Sequence, residues 1–345
     1  MSPSAHPCGH SRVSLVDASG TLDPANGFVV DFDTGSSDFF LPGSDCTQNC
    51  QGHRVFETAQ SATAIDQDQS FSIEFADGSS VKGEVFEDTV SLAGLTASQQ
   101  AIVAATQYSS GFAIQNSPPD GLLGLAFISI SETGRSPVFE TLVLQNQTTS
   151  PVFGFTLLDN GGELFLGGTD TSAFSGSLTF APLTLKNPPA FWEIVVYSAS
   201  VGKQTVVSTA QDAIVDTGTT LLIVDPASAS AIYSAIPGAR NAANVLGEGF
   251  FTIPCNEVPS NVGFTIAGKT FTLSPDTLNF GLLEEGSNEC VGGIMGANEG
   301  KPSCPSVHCE VRCSFTFVGF WIFGDVFLRN LYAGQYHTAR SYLCN

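Results

Sequence analysis

Basic residues are scarce in this chain. Only 12 Lys and Arg stand against 33 Asp and Glu among 345 residues, which gives a formal net charge of −21. A surface this negative repels phosphate backbones and anionic lipid headgroups. We therefore expect neither nucleic acid nor membranes as partners. With so few basic residues, carboxylates can form few ion pairs, so their protonation in acid breaks few essential contacts.

Long segments of helical period are also few, and the composition favours β structure. The chain has 35 Gly, 27 Phe, only two Met and 13% charged residues. Short apolar runs end at Gly, Asn, Asp or Ser, which is typical of strands and turns. This pattern predicts an all-β protein, and the length allows two domains.

The tripeptide Asp-Thr-Gly occurs twice, each time after an apolar run and before two hydroxyl residues. Residues 28–37 read FVVDFDTGSS and residues 213–220 read AIVDTGTT. A single copy is ordinary turn chemistry, with Asp as a cap and Gly at positive φ. Two copies indicate the halves of one site that needs two carboxylates, Asp33 and Asp216.

A second repeated element supports this interpretation. Residues 120–126 read DGLLGLA and residues 320–327 read FWIFGDVF, so each places two apolar residues before a glycine. Gly124 follows Asp33 by 91 residues, and Gly324 follows Asp216 by 108. An internal repeat of this kind predicts two related lobes.

Two neighbouring carboxyl groups can hydrolyse a peptide bond. One ionised carboxyl takes a proton from the attacking water, and one protonated carboxyl gives a proton to the carbonyl oxygen. Two carboxylates a few ångströms apart do not both ionise easily, so they share a proton. We therefore interpret Asp33 and Asp216 as a coupled dyad.

These motifs, together with FSIEFADGSSVKG at residues 71–83, resemble the pepsin-like aspartic endopeptidases, particularly the secreted fungal ones. Further similar stretches are GELFLGGTDTSAFSGSLTF, Phe191-Trp192 and ECVGGIMGANEG, and the resemblance covers roughly residues 27–334. It implies a bilobal pepsin-like acid protease fold, with an N-terminal β lobe (1–182), a C-terminal β lobe (183–345) and a central active-site cleft.

The resemblance also implies what the protein acts on and where. The expected substrates are proteins or peptides bound in extended conformation, cleaved at acidic pH with a preference for large apolar residues. Pepstatin-like compounds are the expected inhibitors, no cofactor or metal is implied, and a monomer is expected. The implied location is extracellular or vacuolar, although residues 1–20 show no hydrophobic signal segment and no recognisable pro-segment.

Roles for individual residues follow from the matching positions. Asp33 and Asp216 are the catalytic pair, and the residues that support them are Thr34, Gly35, Ser36, Thr217, Gly218 and Thr219. Residues 71–83 correspond to the hairpin, or flap, that folds over bound peptide. The implied substrate-binding residues are Phe75, Ala76, Asp77, Phe112, Leu122 and Ile294.

The flap departs from the family pattern at two positions. Phe75 stands where the family usually has tyrosine, and Phe40 replaces the tryptophan that partners that hydroxyl. Because both polar groups are missing together, no buried group loses its partner. We expect an altered flap in an active enzyme. Asp77, at the flap tip, either accepts a substrate lysine, as in some fungal members, or is an ordinary turn residue.

Four of the nine cysteines match positions where the family forms disulfides, which implies the pairs Cys46–Cys50 and Cys255–Cys290. The sequon Asn146-Gln147-Thr148 allows one glycan on a surface loop. The other five cysteines lie where the resemblance fails: Cys8, Cys304, Cys309, Cys313 and Cys344.

Three atypical segments, residues 1–19, 301–319 and 335–345, hold those five cysteines. They also hold four of the five His but only two of the 33 acidic residues. Removing residues 301–319 reduces the second repeat spacing to 89, close to the 91 of the first. Gly300-Lys301 and Val318-Gly319 can be encoded by intron-end sequences. Our hypothesis is an in-frame retained intron, with a similar read-through after Gly334.

The atypical segments lead to a further expectation about the fold. Family members carry an N-terminal strand and C-terminal strands that complete the sheet beneath the aspartates. We expect this chain to lack good versions of both. A defective product or a peptide-binding protein with misplaced aspartates is therefore a second candidate for its function.

Three smaller motifs permit different chemistry. Cys304, His308, Cys309 and Cys313 have a spacing that permits a metal site, but no second ligand pair follows at zinc-finger distance. DFDTG also resembles the Asp-x-Asp start of phosphoryl-transfer hydrolases, with Asp31 as nucleophile and Asp33 as acid or base, but those enzymes alternate strands and helices. A histidine triad is disfavoured because His53 has no matching serine or cysteine motif.

Overall fold

A computed structural model describes residues 11–15, 27–75, 77–158, 162–184, 188–297, 319–337 and 340–344, with residues 11–15 and Arg340 as backbone alone. Regular structure in these ranges is mostly strand, which confirms the all-β prediction. In the first half of the chain the strands are β1 (Ser11–Leu15), β2 (Phe28–Asp33), β3 (Phe39–Pro42), β4 (Ile65–Glu74), β5 (Ser80–Leu92), β6 (Leu95–Tyr108), β7 (Gly121–Gly124), β8 (Val152–Leu157), β9 (Gly162–Leu166) and β10 (Thr179–Pro182).

The second half continues with β11 (Glu193–Val201), β12 (Gln204–Val207), β13 (Gln211–Val215), β14 (Leu222–Val224), β15 (Arg240–Asn241), β16 (Phe251–Pro254), β17 (Val262–Ile266), β18 (Lys269–Thr272), β19 (Asn279–Leu282), β20 (Glu289–Gly292), β21 (Ile294–Gly296), β22 (Phe320–Phe323), β23 (Tyr332–Tyr336) and β24 (Arg340–Cys344). The described helices are short: α1 (Val138–Leu144), α2 (Pro226–Ser234), α3 (Ala243–Leu246), α4 (Pro275–Leu278) and α5 (Asp325–Leu328).

Each half of the chain builds a large sheet around its Asp-Thr-Gly motif. In the first lobe the strand order is β1-β2-β7-β3-β6-β5-β4. In the second lobe it is β18-β17-β11-β13-β22-β14-β21, with β12 paired to β11 and a separate sheet of order β15-β16-β20-β19. The motif strands β2 and β13 are largely buried, as expected for apolar runs at the centre of a sheet.

A five-stranded sheet joins the two lobes, in the order β10-β24-β23-β8-β9. Strands from both halves of the sequence therefore share one set of hydrogen bonds. Trp192 lies at the junction, fully buried, with its ring 4.3 Å from that of Phe127 and 5.6 Å from that of Phe153. Its indole N–H donates to the carbonyl of Leu125 at 2.9 Å. The lobes are thus fixed to one another beneath the site.

The expectation that the chain lacks its terminal strands is wrong. The β1 backbone pairs with both β2 and β5, and β24 lies between β23 and β10. Tyr342, Leu343 and Cys344 are fully buried, and Tyr342 packs beside Tyr332 with ring centroids 5.9 Å apart. An apolar, aromatic segment next to an open sheet edge can pair and bury its side chains whatever its origin. Most of the 301–319 segment lies outside the described residues, so the retained-intron hypothesis stays a prediction.

Candidate active site

The two predicted aspartates occupy equivalent places in the two lobes. Asp33 ends β2, which runs parallel to β7 and sets Asp33 opposite Gly124. Asp216 directly follows β13, which runs parallel to β22 and sets Val215 opposite Phe323. In both lobes the returning strand, β3 or β14, pairs antiparallel to that same neighbour. The repeat predicted from sequence is therefore a repeat of structure.

The glycines of the repeat are required by close backbone packing. A Cβ added to Gly124 would lie 2.5 Å from the carbonyl carbon of Ser37. A Cβ added to Gly324 would overlap the carbonyl oxygens of Thr219 and Leu221. Any side chain at these positions would push the motif loops away from their sheets.

Each carboxylate is oriented by the residues that follow it. The Gly35 N–H and the Ser36 hydroxyl donate to the two oxygens of Asp33, each at 2.6 Å. The Gly218 N–H and the Thr219 hydroxyl donate to the two oxygens of Asp216 at 2.9 and 2.6 Å. The arrangement is the same in both lobes.

The two carboxyl groups face each other across the lobe boundary. A Cβ on Gly35 would lie 2.6 Å from Asp216 Oδ1, and a Cβ on Gly218 would lie 2.5 Å from Asp33 Cγ. The absence of side chains at these glycines lets the carboxyls approach. Asp33 and Asp216 are only 3% and 1% exposed.

Thr34 and Thr217 join the lobes directly behind the carboxyls. The Thr34 N–H donates to the Thr217 hydroxyl at 3.1 Å, and the Thr217 N–H donates to the Thr34 hydroxyl at 3.0 Å. Each hydroxyl then donates across the boundary, Thr34 to the Val215 carbonyl at 2.9 Å and Thr217 to the Phe32 carbonyl at 2.5 Å. These four buried bonds fix the spacing between the aspartates.

Strands β4 and β5 of the first lobe form a hairpin that contains residues 71–83, the predicted flap. The Phe75 N–H donates to the Ser79 carbonyl at 2.7 Å and closes its tip. The N–H and the hydroxyl of Ser79 both donate to Asp77 Oδ1, at 2.8 and 2.6 Å. Ala76, a predicted substrate-binding residue, lies outside the described residues.

Comparisons with known proteins identify the family. The family model described as eukaryotic aspartyl protease matches residues 20–341. An aspartic protease of Phaffia rhodozyma is 36% identical over 310 residues, which cover 89% of this chain and 70% of that protein. Rhizopuspepsin of Rhizopus chinensis is 36% identical over 316 residues, 90% of this chain and 72% of its own. Endothiapepsin of Cryphonectria parasitica is 34% identical over 312 residues, 89% and 68% of the two chains.

The chain belongs to the eukaryotic aspartyl protease family. It is an aspartic-type endopeptidase with the bilobal all-β fold of pepsin-like enzymes. The phosphoryl-transfer interpretation required alternating strands and helices, and the described residues form a different pattern, of sheets with few short helices. Asp31 lies buried on β2, where it is part of the sheet.

The electrostatics of this aspartyl protease site follow from burial and proximity. Removal of Asp216 from water, and then the nearby charge of Asp33, raise the pKa of Asp216 well above its usual range. A hydrogen bond between the two carboxyls acts in the same direction. The hydroxyl of Thr219 and the N–H of Gly218 oppose these effects by favouring the ionised form. Asp216 therefore holds its proton to a higher pH than an isolated aspartate does.

The predicted substrate-binding residues divide into two places. Phe75, Phe112 and Leu122 lie together in a buried cluster behind the flap, which also contains Phe40. The Phe75 ring centroid is 6.2 Å from that of Phe40 and 5.4 Å from that of Phe112. Ile294 lies apart, fully buried in the main core of the molecule. The flap of this protein is thus supported by aromatic packing at the two positions where it departs from the family.

Both implied disulfides are confirmed, since Cys46 is bonded to Cys50 and Cys255 to Cys290. The sequon residue Asn146 is exposed just after α1, where a glycan can be attached. Cys344 is buried, with its sulfur 3.3 Å from the Ser175 carbonyl. The remaining cysteines lie outside the described residues: Cys8, Cys304, Cys309 and Cys313.

The described ranges contain no cluster of three or more groups that could hold a metal ion. His308 and the three cysteines of the possible metal site fall in the part of the chain that the structure leaves undescribed. His53 is buried, with Nε2 2.9 Å from the Phe112 carbonyl oxygen. Among the described helices, none is long and apolar enough to cross a membrane.

Sequence reasoning missed one acidic residue close to the dyad. Asp38 ends the first motif, is 2% exposed, and accepts hydrogen bonds from a surface loop. The sequence contained a signal for Asp38, because the residue after the second motif, at the equivalent position, is the apolar Leu221. Comparing the two copies residue by residue finds this difference.

Proposed function

We propose that this protein hydrolyses peptide bonds in proteins at acidic pH with a water molecule activated between Asp33 and Asp216. The observation that carries the proposal is the pair of buried, facing carboxyls, each with both oxygens already hydrogen-bonded. One shared proton provides a base and an acid in the same site, which peptide hydrolysis needs.

The mechanism follows from that single proton. The ionised carboxyl accepts a proton from the water, and the water oxygen attacks the peptide carbonyl carbon. The protonated carboxyl gives its proton to the carbonyl oxygen, so a neutral tetrahedral diol forms. One carboxyl then gives its proton to the amide nitrogen, and the other carboxylate takes a proton from a diol hydroxyl as the C–N bond breaks. The products are an amine and a carboxylic acid, and the dyad again holds one proton. Hydrogen bonds that hold both carboxyls in place before reaction lower the reorganisation that each step requires.

Turnover of acid-denatured haemoglobin at about pH 3 to 5 tests this proposal. We expect cleavage by the purified protein, inhibition by pepstatin, and loss of activity in Asp33→Asn and Asp216→Asn. Circular dichroism shows whether each variant is folded. A folded wild-type protein without turnover would instead favour a peptide-binding role. Among the described residues, no contact favours that role over catalysis.

The aromatic cluster behind the flap supports a preference for large apolar substrate residues. Phe75, Phe112 and Leu122 form one buried apolar cluster behind the flap, so large apolar side chains are the ones that would pack against its edge. Main-chain groups of an extended peptide would pair with the flap and the cleft walls. A peptide series that varies only the residue before the cleaved bond measures the preference. Equal kcat/KM for Phe and Ser at that position would contradict it.

Asp77 supports acceptance of lysine as well. Only Oδ1 of Asp77 accepts the Ser79 bonds, so Oδ2 can accept from a substrate ammonium group. Asp77→Thr should lower kcat/KM for a Lys substrate about ten-fold more than for a Leu substrate. Ser79→Ala, which keeps the charge and removes one turn bond, is the matched control. An unchanged Lys-to-Leu ratio in Asp77→Thr would rule the role out.

Two disulfides and an exposed sequon support a secreted or vacuolar protein, and we expect it to act as a monomer. Expression through a eukaryotic secretory pathway should give a mass that falls on deglycosylation, and Asn146→Gln should remove that difference. Gel filtration of the same material measures the oligomeric state, and a dimer would contradict the second part of the proposal.

A further inference from the structure

The two motif loops differ at one buried position. Asp38 follows the first Asp-Thr-Gly-Ser-Ser, and Leu221 follows the second Asp-Thr-Gly-Thr-Thr. Both side chains are buried, at 2% and 0% exposed. A leucine is the ordinary occupant of such a place, whereas a buried carboxylate destabilises the fold unless donors surround it. The first lobe therefore has a specific use for an acid here.

The donors come from the loop that precedes α1. Asp38 Oδ1 accepts from the Ser131 hydroxyl at 2.7 Å, the Thr133 hydroxyl at 2.9 Å and the Thr133 N–H at 3.1 Å. Asp38 Oδ2 accepts from the Glu132 N–H at 2.9 Å. Four bonds to one carboxylate fix this loop to the end of the motif.

The backbone of Asp38 reaches the dyad in the other direction. Its carbonyl accepts from the Gly124 N–H at 2.9 Å, and Gly124 lies opposite Asp33 in the paired strands β2 and β7. Asp38 thus bonds β7, the neighbour of β2, through its main chain. It bonds the 131–133 loop through its side chain.

The same loop is bonded to the base of the flap. The Thr133 carbonyl accepts from the Gln69 side chain of β4 at 3.2 Å. The Thr133 hydroxyl accepts from the Arg135 N–H at 3.3 Å. The Arg135 guanidinium donates to Glu87 of β5 at 2.8 Å and to Gln67 at 3.1 Å. Both strands of the hairpin are therefore connected to Asp38 through two residues.

We propose that Asp38 is a positioning residue that fixes the base of the flap relative to the catalytic aspartates. The flap belongs to the first lobe, and the acid occurs in that lobe, whereas the second lobe has Leu221 at the equivalent position. Asp38 sets the angle at which the hairpin leaves the sheet, and so the height of its tip above bound peptide. This inference rests on the proposed function, because substrate must lie beneath the flap.

The test compares folded variants with the same peptide substrate. Asp38→Leu introduces the second-lobe residue and removes all four bonds. Asp38→Asn keeps an oxygen for the three Oδ1 bonds but places an N–H against that of Glu132. We expect KM to rise about ten-fold in Asp38→Leu and about three-fold in Asp38→Asn, with kcat changed less than about three-fold in both. Amide hydrogen exchange in residues 69–75 should be faster than in wild type.

Asp225→Asn is the matched control, because Asp225 caps α2 and accepts from Ser228 and Trp321 in the second lobe. It should lower stability without moving KM or flap exchange. If Asp38→Leu does not fold, Thr133→Val keeps the volume nearly constant but removes the hydroxyl that bonds Asp38, Arg135 and Ser131, and it should raise KM about two-fold.

An unchanged KM, or unchanged exchange at 69–75, in folded Asp38→Asn and Thr133→Val would overturn the proposal. Wild-type turnover is measured first. Its absence would count against the proposed function, while the exchange experiment would still decide whether Asp38 holds the flap base.

Discussion

Gly35→Ala tests the geometry on which catalysis depends. The added methyl carbon would lie 2.6 Å from Asp216 Oδ1 and 2.7 Å from its Cγ. Ordinary contact begins near 3.4 Å, so one of the two groups must move by about 0.8 Å. The backbone of Gly35 cannot move easily, because its N–H is bonded to Asp33. The carboxyl of Asp216 therefore moves, and its bonds from Gly218 and Thr219 stretch or break.

The expected loss of activity follows from that displacement. A shift of this size at a reacting group costs about 100-fold in rate, and overpacking a close contact costs about 1–3 kcal/mol of stability. We expect kcat for a peptide substrate to fall about 100-fold, with KM changed less than about three-fold. Gly218→Ala, with its Cβ 2.5 Å from Asp33 Cγ, should behave in the same way.

The control is Gly168→Ala, where the added Cβ would meet only the exposed ring of Phe165 at 3.2 Å. This variant should keep full activity. The assay is single-substrate kinetics on folded protein at the pH optimum, with thermal unfolding as the check on folding. Activity of Gly35→Ala within about three-fold of wild type would refute the deduced approach of the two carboxyls.

Three further predictions concern pH, the C-terminal strand and the flap. Burial and Asp33 raise the pKa of Asp216, so the stability contributed by its proton is complete below the unfolded pKa and is lost as pH rises through the folded pKa. Asp216→Asn should flatten the fall in unfolding free energy above about pH 4, by up to about 1.4 kcal/mol per pH unit, and an equal slope in urea titrations would contradict this. Tyr342→Ala should lower stability by about 3–5 kcal/mol, since its ring is fully buried, and a change under about 1 kcal/mol by denaturant unfolding would show that β24 contributes little. Phe40→Ala should lower kcat/KM about ten-fold by loosening Phe75, whereas Phe40→Leu should lower it less; equal effects in peptide assays would show that ring packing is not needed.

The dyad was predictable from sequence because its signal is local and repeated. Each aspartate ends a buried strand, and each glycine partner stands at a nearly constant distance once residues 301–319 are removed. Local turn chemistry then fixes which groups donate to each carboxylate, as the bonds from Gly35, Ser36, Gly218 and Thr219 show. The two disulfides were implied by the family resemblance at the matching positions, and both are present.

The terminal strands were not predictable from composition. The 335–345 segment has an unusual residue content, yet Tyr342 and Leu343 fill space between β23 and β10. Pairing depends on an open sheet edge and on room for the side chains, and neither is visible in the segment itself. Aromatic support of the flap was predictable only in part. The sequence showed the departures from the family at Phe40 and Phe75, but not that these rings pack together with Phe112.

The sequence by itself determined the family, the two aspartates that face each other and the two-lobed β architecture, because strand period, turn residues and repeat spacing are properties of short segments. Tertiary structure alone decided how close the two carboxyls come, because that distance is set by contacts between residues 183 positions apart, such as Thr34 and Thr217. It also decided the role of Asp38, whose partners come from a loop more than 90 residues away. Burial raises the pKa of Asp216 only after both lobes have closed around it, so the chemistry of the site belongs to the assembled fold.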